Sequence, residues 1–247
     1  MPFKSDRISY GLARGAYPQE AVANCEGELA RVLGLTRPLV GVKVLFQQNA
    51  YDAYDAPEPT AAMSYCLMVK AATQGRALKS RLQHHNCDGG TTALGLEKST
   101  ERIESGEEYY SYRLYASPVA ARRHRASIRS LHAYQPVTYG VVTSPLSLCT
   151  EAPDVVLAVV SPYQAMRLVQ GWEYETGMKP QTDIGAMQGF CSELTATPYL
   201  TGQMNVSVLC PSTRMLCRWG EQDMAVGIPF EQLERVIEGV VATQLEY

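Results

Sequence analysis

Four of the seven cysteines in this chain share a local setting that could make their sulfur atoms chemically useful. Cys87, Cys191 and Cys210 each lie where an extended or loop segment gives way to a predicted helix, and Cys66 lies near the start of an apolar helical run. The first turn of a helix has unpaired N–H groups and a partial positive charge, which favour a thiolate over a thiol. Thiolates bind soft metals and attack electrophiles, so the pattern predicts thiolate chemistry without specifying a reaction.

The four cysteines could form one ligand set, because four thiolates suit an iron–sulfur cluster or tetrahedral zinc. Their gaps are 21 residues (66 to 87), 104 (87 to 191) and 19 (191 to 210), with no Cys-x-x-Cys pair. The tertiary fold must therefore assemble the site, and we expect Cys87 and Cys191 to meet. An iron–sulfur cluster is the leading prediction. Zinc, or a metallo-tetrapyrrole with one cysteine as axial ligand, is the alternative.

Polar residues elsewhere in the chain are candidates for supporting such a site. Three of them would orient the ligands or bind an anion on the cofactor, namely Gln164, Asn205 and Arg214. His84 and His85 precede the second cysteine, and at most one of two adjacent side chains can readily share its site. That histidine would be a metal ligand or proton carrier, unless the pair simply faces solvent.

A metal-free alternative uses one cysteine as a nucleophile or redox thiol, with Cys191 or Cys210 as the first candidates. Glu193 would oppose a lowered pKa at Cys191 by like-charge repulsion, whereas Arg214 could assist Cys210. A dense basic patch is a further feature: Arg122, Arg125 and Arg129 would share one helix face and could hold an anionic cofactor or an acidic partner. A solvated helix face explains the same pattern.

The composition is that of an ordinary globular protein, with 46% hydrophobic and 19% charged residues among 247. The formal net charge of −3 gives no reason to expect nucleic-acid or membrane binding. No apolar run approaches the roughly 20 residues of a membrane helix, and the N-terminus lacks the apolar core of a secretory signal. Seven cysteines in a long chain argue against a disulfide framework, so we expect a cytoplasmic, reducing location.

Alternating strand and helix patterns predict an α/β or α+β fold with a mixed sheet. The predicted strands are 39–46, 110–115, 137–143, 155–161, 205–210 and 224–228. The predicted helices are 26–34, 63–82, 163–174 and a C-terminal helix that opens at residue 229.

No linker interrupts the chain, so a single domain over 1–247 is expected, with 1–25 as an N-terminal extension and 97–135 as an excursion that carries the basic patch. A weak internal β–α duplication is also suggested. The strand 40–46, the helix after it and Cys87 resemble the strand 155–161, its helix and Cys191.

Several short motifs, taken in order, resemble a known family. They are PLVGVK (38–43), Cys66 followed by AATQG (71–75), CDGG (87–90) with ALGL (93–96), SPL (144–146), PDVVL (153–157), PYQAMRL (162–168), CSE (191–193), NVS (205–207) with Cys210 and Arg214, and VGIP (226–229). From Glu28 to Gly239 the chain resembles the domain of unknown function 169, a family common in anaerobic bacteria and archaea. Its pattern has cysteine at 66, 87, 191 and 210 but not at 25, 149 or 217. The resemblance implies no established activity.

The leading functional hypothesis is a cytoplasmic cofactor protein of anaerobic redox metabolism that holds a soft metal centre through its cysteines. A metal-free thiol enzyme or small-molecule binder is the second hypothesis, and an accessory subunit that docks a redox or methyl-transfer complex is the third. The sequence does not decide whether the protein is an enzyme. A bound cofactor or small molecule and a redox protein are the expected partners.

Overall fold

The chain folds around a six-stranded antiparallel sheet, seen in a computed structural model that describes residues 19–131 and 137–243. The spatial order is β2-β3-β1-β4-β6-β5, and every strand pair in it is antiparallel. The predicted fold class is confirmed, and its α+β form describes the antiparallel pairing. The strands are β1 (Val40–Leu45), β2 (Leu78–Arg81), β3 (Gly140–Pro145), β4 (Val155–Val160), β5 (Asn205–Ser207) and β6 (Met224–Pro229).

Helices connect these strands. They are α1 (Gln19–Leu33), α2 (Gln48–Ala53), α3 (Tyr65–Ala72), α4 (Asp88–Ala93), α5 (Glu101–Glu104), α6 (Glu107–Ser111), α7 (Pro118–Ser127), α8 (Pro162–Glu173), α9 (Thr197–Thr201), α10 (Pro211–Cys217) and α11 (Leu233–Ala242). A π-helix, Gly189–Ala196, precedes α9. Short 3-10 turns are Leu82–His84, Leu146–Leu148 and Phe230–Gln232.

Both faces of the sheet are covered, because its central strand β4 is apolar throughout. The sequence VVLAVV is buried at every position, and alternate side chains enter opposite cores. Val156, Ala158 and Val160 pack with α1, α8 and α11 on one face. Val155 and Leu157 pack with α3, α4 and the π-helix on the other, which we call the cysteine face.

The two halves of the sheet repeat one topology about a pseudo-twofold axis. Val40 of β1 pairs with Pro145 of β3, and Val155 of β4 pairs with Pro229 of β6, so both strand pairs have the same register. Where β1 meets β4, Gly41 pairs with Val156, and the pairs on either side exchange equivalent residues. The suggested internal duplication is therefore a real structural repeat, of β1–β3 on β4–β6.

The strand register also corrects which cysteines are equivalent. Cys87 follows the edge strand β2 and Cys210 follows the edge strand β5, and each immediately precedes a helix. Cys66 and Cys191 lie in the helices before those edge strands. The sequence pattern pairs Cys87 with Cys191, but these two cysteines are not equivalent. The equivalent of Cys87 is Cys210, and the equivalent of Cys66 is Cys191.

Most of the predicted elements are present, with two notable differences. The segment 110–115, predicted as a strand, is the end of α6 followed by a turn. The predicted helix 63–82 ends at Ala72, and Gly75 adopts a left-handed φ of 87° before the chain enters β2. The predicted helix thus wrongly included β2, a short polar edge strand with the sequence LKSR.

Two predicted regions extend beyond the described residues. Residues 19–25 of the predicted N-terminal extension form the first turns of α1, where Val22 and Cys25 are buried in the core, and residues 1–18 lie outside the described part. The predicted excursion contains α5, α6 and α7, which pack around Ile103, Tyr109 and Ala121, and its residues 132–135 lie outside the description. Among the helices described, none is long and apolar enough to cross a membrane.

The contact between α8 and α11 gives a stability prediction. A Cβ atom on Gly239 would lie 2.8 Å from the carbonyl carbon of Gly171, so Gly239→Ala must push the two helix backbones apart. We expect it to lower the free energy of unfolding by about 1–3 kcal/mol. Gly27→Ala in α1 is the matched control, because nothing lies within 4 Å of its Cβ position, and it should gain roughly 0.5–1 kcal/mol from helix propensity. Urea unfolding followed by circular dichroism measures both, and equal effects would contradict the helix contact.

Candidate functional site: a cluster of four cysteines

All four favoured cysteines lie at helix starts, as predicted. Cys66 is the second residue of α3, whose first turn is capped by the Ser64 side chain. Cys87 and Cys210 are the residues immediately before α4 and α10, and Cys191 is in the first turn of the π-helix. The two halves of the repeat therefore supply two cysteines each, from equivalent places.

These helix starts meet on the cysteine face of the sheet. The helix α3 packs against α10 and against the π-helix, and α4 also packs against the π-helix. The thiols interact electrostatically: Cys66, Cys87 and Cys210 each raise the pKa of the Cys191 thiol, and Cys210 raises the pKa of both Cys66 and Cys87. The four cysteines thus lie on one face of the sheet with thiols near enough to influence one another's pKa, and we call them the cysteine cluster.

The cluster is buried on one side and open on the other. Cys191 and Cys210 are buried, Cys66 is half-buried and Cys87 is exposed. Burial is the largest cause that raises the pKa of Cys66, Cys87 and Cys191. The expectation that helix starts would favour thiolates is therefore wrong for these three without a bound cation, because burial and mutual repulsion outweigh the helix termini.

Two of the remaining cysteines are structural and one adjoins the cluster. Cys25 and Cys149 are buried in the core on the opposite face. Cys217 packs on the cysteine face, and the Thr213 hydroxyl donates to its Sγ at 3.7 Å while also lying within hydrogen-bonding reach of Cys66. In residues 19–131 and 137–243, no group of three or more His, Cys, Asp or Glu side chains has an arrangement that could hold a metal ion.

Unusual backbone conformations precede both buried cysteines of the cluster. Gln188, just before the π-helix, has a φ of 54°, and Leu209, just before Cys210, has a φ of 67°. Both are left-handed conformations at residues other than glycine, and π-helices are rare and frequently lie at functional sites. The sequence gives no local indication of either backbone conformation, because glycine is the residue usually found at a positive φ.

A polar frame on β5 holds the second half of the cluster in place. The Ser207 hydroxyl donates to Oε2 of Glu193 in the π-helix and accepts from the Leu209 N–H at 3.0 Å. The Asn205 Nδ2 donates to the backbone carbonyl of Glu193 at 2.7 Å, and the Gly185 N–H donates to Oε1 of the Glu193 side chain at 2.6 Å. These bonds connect the segment that carries Cys191 to the segment that leads into Cys210.

The three predicted supporting residues have separate places. Asn205 belongs to the polar frame. Arg214 donates to the backbone carbonyls of Val208, Gly220 and Asp223, so its guanidinium braces the chain on both sides of α10. Gln164 is not brought near the cluster: it closes the N-terminus of α8 on the opposite face, where its Nε2 donates to the Leu33 carbonyl at 2.9 Å.

The histidine pair and Arg125 are used within the fold, whereas Arg122 is exposed and Arg129 lies beyond the end of α7, so the basic residues do not share one helix face as predicted. His85 bonds through Nε2 to the Ser80 hydroxyl at 3.0 Å, and burial lowers its pKa to about 4, so it is neutral. His84 is buried and accepts from the Arg81 N–H at 3.2 Å through Nδ1. In the basic patch, Arg125 is buried against Glu104 at 2.6 Å.

A contact that the sequence did not indicate connects the two halves at the cluster. The Gln188 Nε2 donates to the Gly89 carbonyl in α4 at 2.7 Å and to the Tyr109 hydroxyl at 3.0 Å. Burial raises the pKa of Tyr109, repulsion from Cys191 and Cys87 adds to this rise, and the phenol is held beside Gln188, which directly precedes the π-helix. The sequence predicts a strand directly after Tyr109, at 110–115, whereas Tyr109 lies within the short helix α6.

Comparison with known proteins gives a family and an uncharacterised relative. A family model for domain of unknown function 169, described as an uncharacterised ArCR, matches residues 28–239. An uncharacterized protein of Methanocaldococcus jannaschii is 24% identical over 219 residues, which cover 86% of this chain and 91% of that protein. No solved structure matches.

The buried Glu193 carboxyl gives a pH prediction. Burial raises its pKa from 4.5 to about 7, so the folded protein binds more protons than the unfolded chain between these two values. The free energy of unfolding should therefore fall as the pH rises through this window, by roughly 2–3 kcal/mol between pH 5 and 8. Glu193→Gln keeps the shape and should lack this contribution. Urea unfolding of reduced, chelator-treated protein at both pH values tests it, and an identical pH dependence in the variant would rule it out.

Proposed function

The chain belongs to the family of domain of unknown function 169, and we propose that it binds an iron–sulfur cluster through Cys66, Cys87, Cys191 and Cys210. One observation carries the proposal: the two halves of the repeat each deliver two cysteines, from equivalent positions, to the same face of the sheet. Four thiolates are the usual ligand set of such a cluster. Separate hydrophobic roles for the four cysteines would not require them to form one group.

The arrangement favours a cluster over a single zinc ion. Tetrahedral Zn–S bonds of ~2.3 Å would hold the sulfur atoms about 3.8 Å apart. In the described parts of the chain, no set of side chains converges closely enough to hold one ion. Each cysteine of a four-iron cluster binds a different iron atom, so its ligands are not held at the short spacing of a single zinc site.

The physical chemistry of the pocket supports a positively charged guest. Buried thiols that repel one another as thiolates need a compensating charge before they can all ionise. Metal cations supply that charge, and the polar frame of Ser207 and Glu193 keeps Cys191 and Cys210 in place to receive them. Burial raises the pKa of Cys87 and Cys191, and backbone N–H groups of Gly90 and Ser192 offset part of that rise.

An iron–sulfur cluster bound here would supply electron transfer. Cys87 is the exposed member of the group, so that edge of the site is where electrons would pass to and from a redox protein partner. The buried side, at Cys191 and Cys210, excludes water from the rest of the centre. We accordingly propose a role in redox metabolism, in the anaerobic setting that the family resemblance implies.

Serine replacements test the ligand set. Protein purified without oxygen and reconstituted with iron and sulfide should show visible sulfur-to-iron absorption and contain both elements. Cys66→Ser, Cys87→Ser, Cys191→Ser and Cys210→Ser should each lose most of both. Cys25→Ala and Cys149→Ala are matched controls from the opposite core and should keep them.

The other outcomes decide against the proposal. Loss of iron in the two controls as well would mean that general destabilisation, not ligand removal, is being measured. Stoichiometric zinc without sulfide would replace the cluster with a single ion. A metal-free protein in which one cysteine reacts rapidly with iodoacetamide would favour the metal-free thiol enzyme.

A further inference from the structure

A cavity separate from the cysteine cluster lies where three strands end, and none of the four favoured cysteines lines it. The last residue of β1 pairs with the first of β3, which in turn pairs with Arg81, the last residue of β2. The chain segments that enter and leave these strand ends border a cavity of about 670 Å³ that is largely open to solvent. This volume is within the range of roughly 300–1,000 Å³ that small-molecule sites occupy.

Apolar side chains form most of the walls of this cavity. Phe46 and Leu96 line it from the side of the sheet and of α4. Leu82 and Val137 line it as well and remain 44% and 46% exposed. An apolar body that enters the cavity would cover both of these exposed side chains, which is a favourable change.

Two hydrogen-bond donors in the same lining lack acceptors. The Thr138 side chain is 2% exposed, and its hydroxyl has no partner within the described residues. The buried Nε of Arg81 also lacks a hydrogen bond in that part of the chain, although Nη1 donates to the Tyr139 hydroxyl at 3.4 Å. Glu58 approaches this Nε only to 3.7 Å, which is too long for a hydrogen bond. Buried polar groups are normally paired, so both atoms call for an acceptor.

We propose that this cavity binds a small carboxylic acid with an apolar body. The carboxylate accepts hydrogen bonds from the Arg81 guanidinium and the Thr138 hydroxyl, and the apolar body lies against Phe46, Leu82 and Val137. An arginine N–H can only donate, which selects an acceptor, and the bound carboxylate would share the positive charge of Arg81 with Glu58, whose Oε1 lies 3.7 Å from Nε. This binding activity is separate from the proposed iron–sulfur centre and does not depend on it.

Calorimetric titration of the full-length protein with matched acids and amides tests the proposal. The probes are 4-phenylbutyrate and octanoate, each compared with its neutral amide. We expect the acids to bind at least roughly tenfold more tightly than the amides, which is the effect of hydrogen bonds to a charged group. Arg81→Gln should weaken acid binding by a similar factor and leave amide binding unchanged.

Thr138→Val is a second test that does not depend on correct folding of the arginine variant. It removes only a hydroxyl that has no partner within the described residues. It should keep the thermal unfolding temperature and weaken acid binding several-fold. Arg76→Gln, at an exposed arginine before β2, is the matched charge control and should bind the acids as the unaltered protein does. Absence of acid binding, equal affinity for acids and amides, or unaltered acid binding by Thr138→Val would each overturn the proposal.

Discussion

The structure depends on the antiparallel pairing of β1 with β4 around Gly41 and Val156. This pairing joins the two halves of the repeat into one sheet and sets the pseudo-twofold axis between them. Once it is made, α3 and α4 of the first half cover the same face as the π-helix and α10 of the second half. The cysteines at their starts, far apart in the chain, become neighbours as a consequence. The candidate site is therefore a product of sheet topology and not of any local motif.

Close packing at the axis follows from the same pairing. A Cβ atom on Gly41 would lie 2.5 Å from the Cys149 sulfur and 3.2 Å from Pro153, so only glycine fits there without rearrangement. Asp154, which follows this proline, accepts hydrogen bonds from the Val44 N–H at 2.7 Å and from Lys43 at 3.2 Å. The start of β4 is thus tied to the end of β1 by a partly buried carboxylate as well as by the strand register.

Much of the fold could be predicted from the sequence, because its central strands are apolar. The runs at β1 and β4 are rich in valine, and Pro162 marks the start of α8. The polar sequence LKSR of β2 was not predicted as a strand, because an edge strand needs no apolar pattern. Tyr110 and Tyr112 alternate as side chains do in a strand, and the segment 110–115 was therefore predicted as one. Instead Gly106, with a φ of 79°, begins a short helix there.

The site was only partly predictable. The residue types and the helix starts identified the four cysteines, but burial, which raises the pKa of three of them, depends on tertiary packing that spacing does not encode. The frame of Ser207 and Glu193 and the conformations of Gln188 and Leu209 likewise exist only in the folded chain. Gln164 shows the converse, since a residue within a recognisable motif proved to be a helix cap on the other face.

The repeat also constrains what either half could be on its own. A separate β1–β3 unit would present β1 as an open edge, and a separate β4–β6 unit would present the wholly apolar β4 in the same way. Exposed apolar edges recruit further strands, so an isolated half would either aggregate or associate with a second copy. A half-length chain could thus fold only with a second copy of itself, with each subunit contributing two sulfur atoms across the symmetry axis.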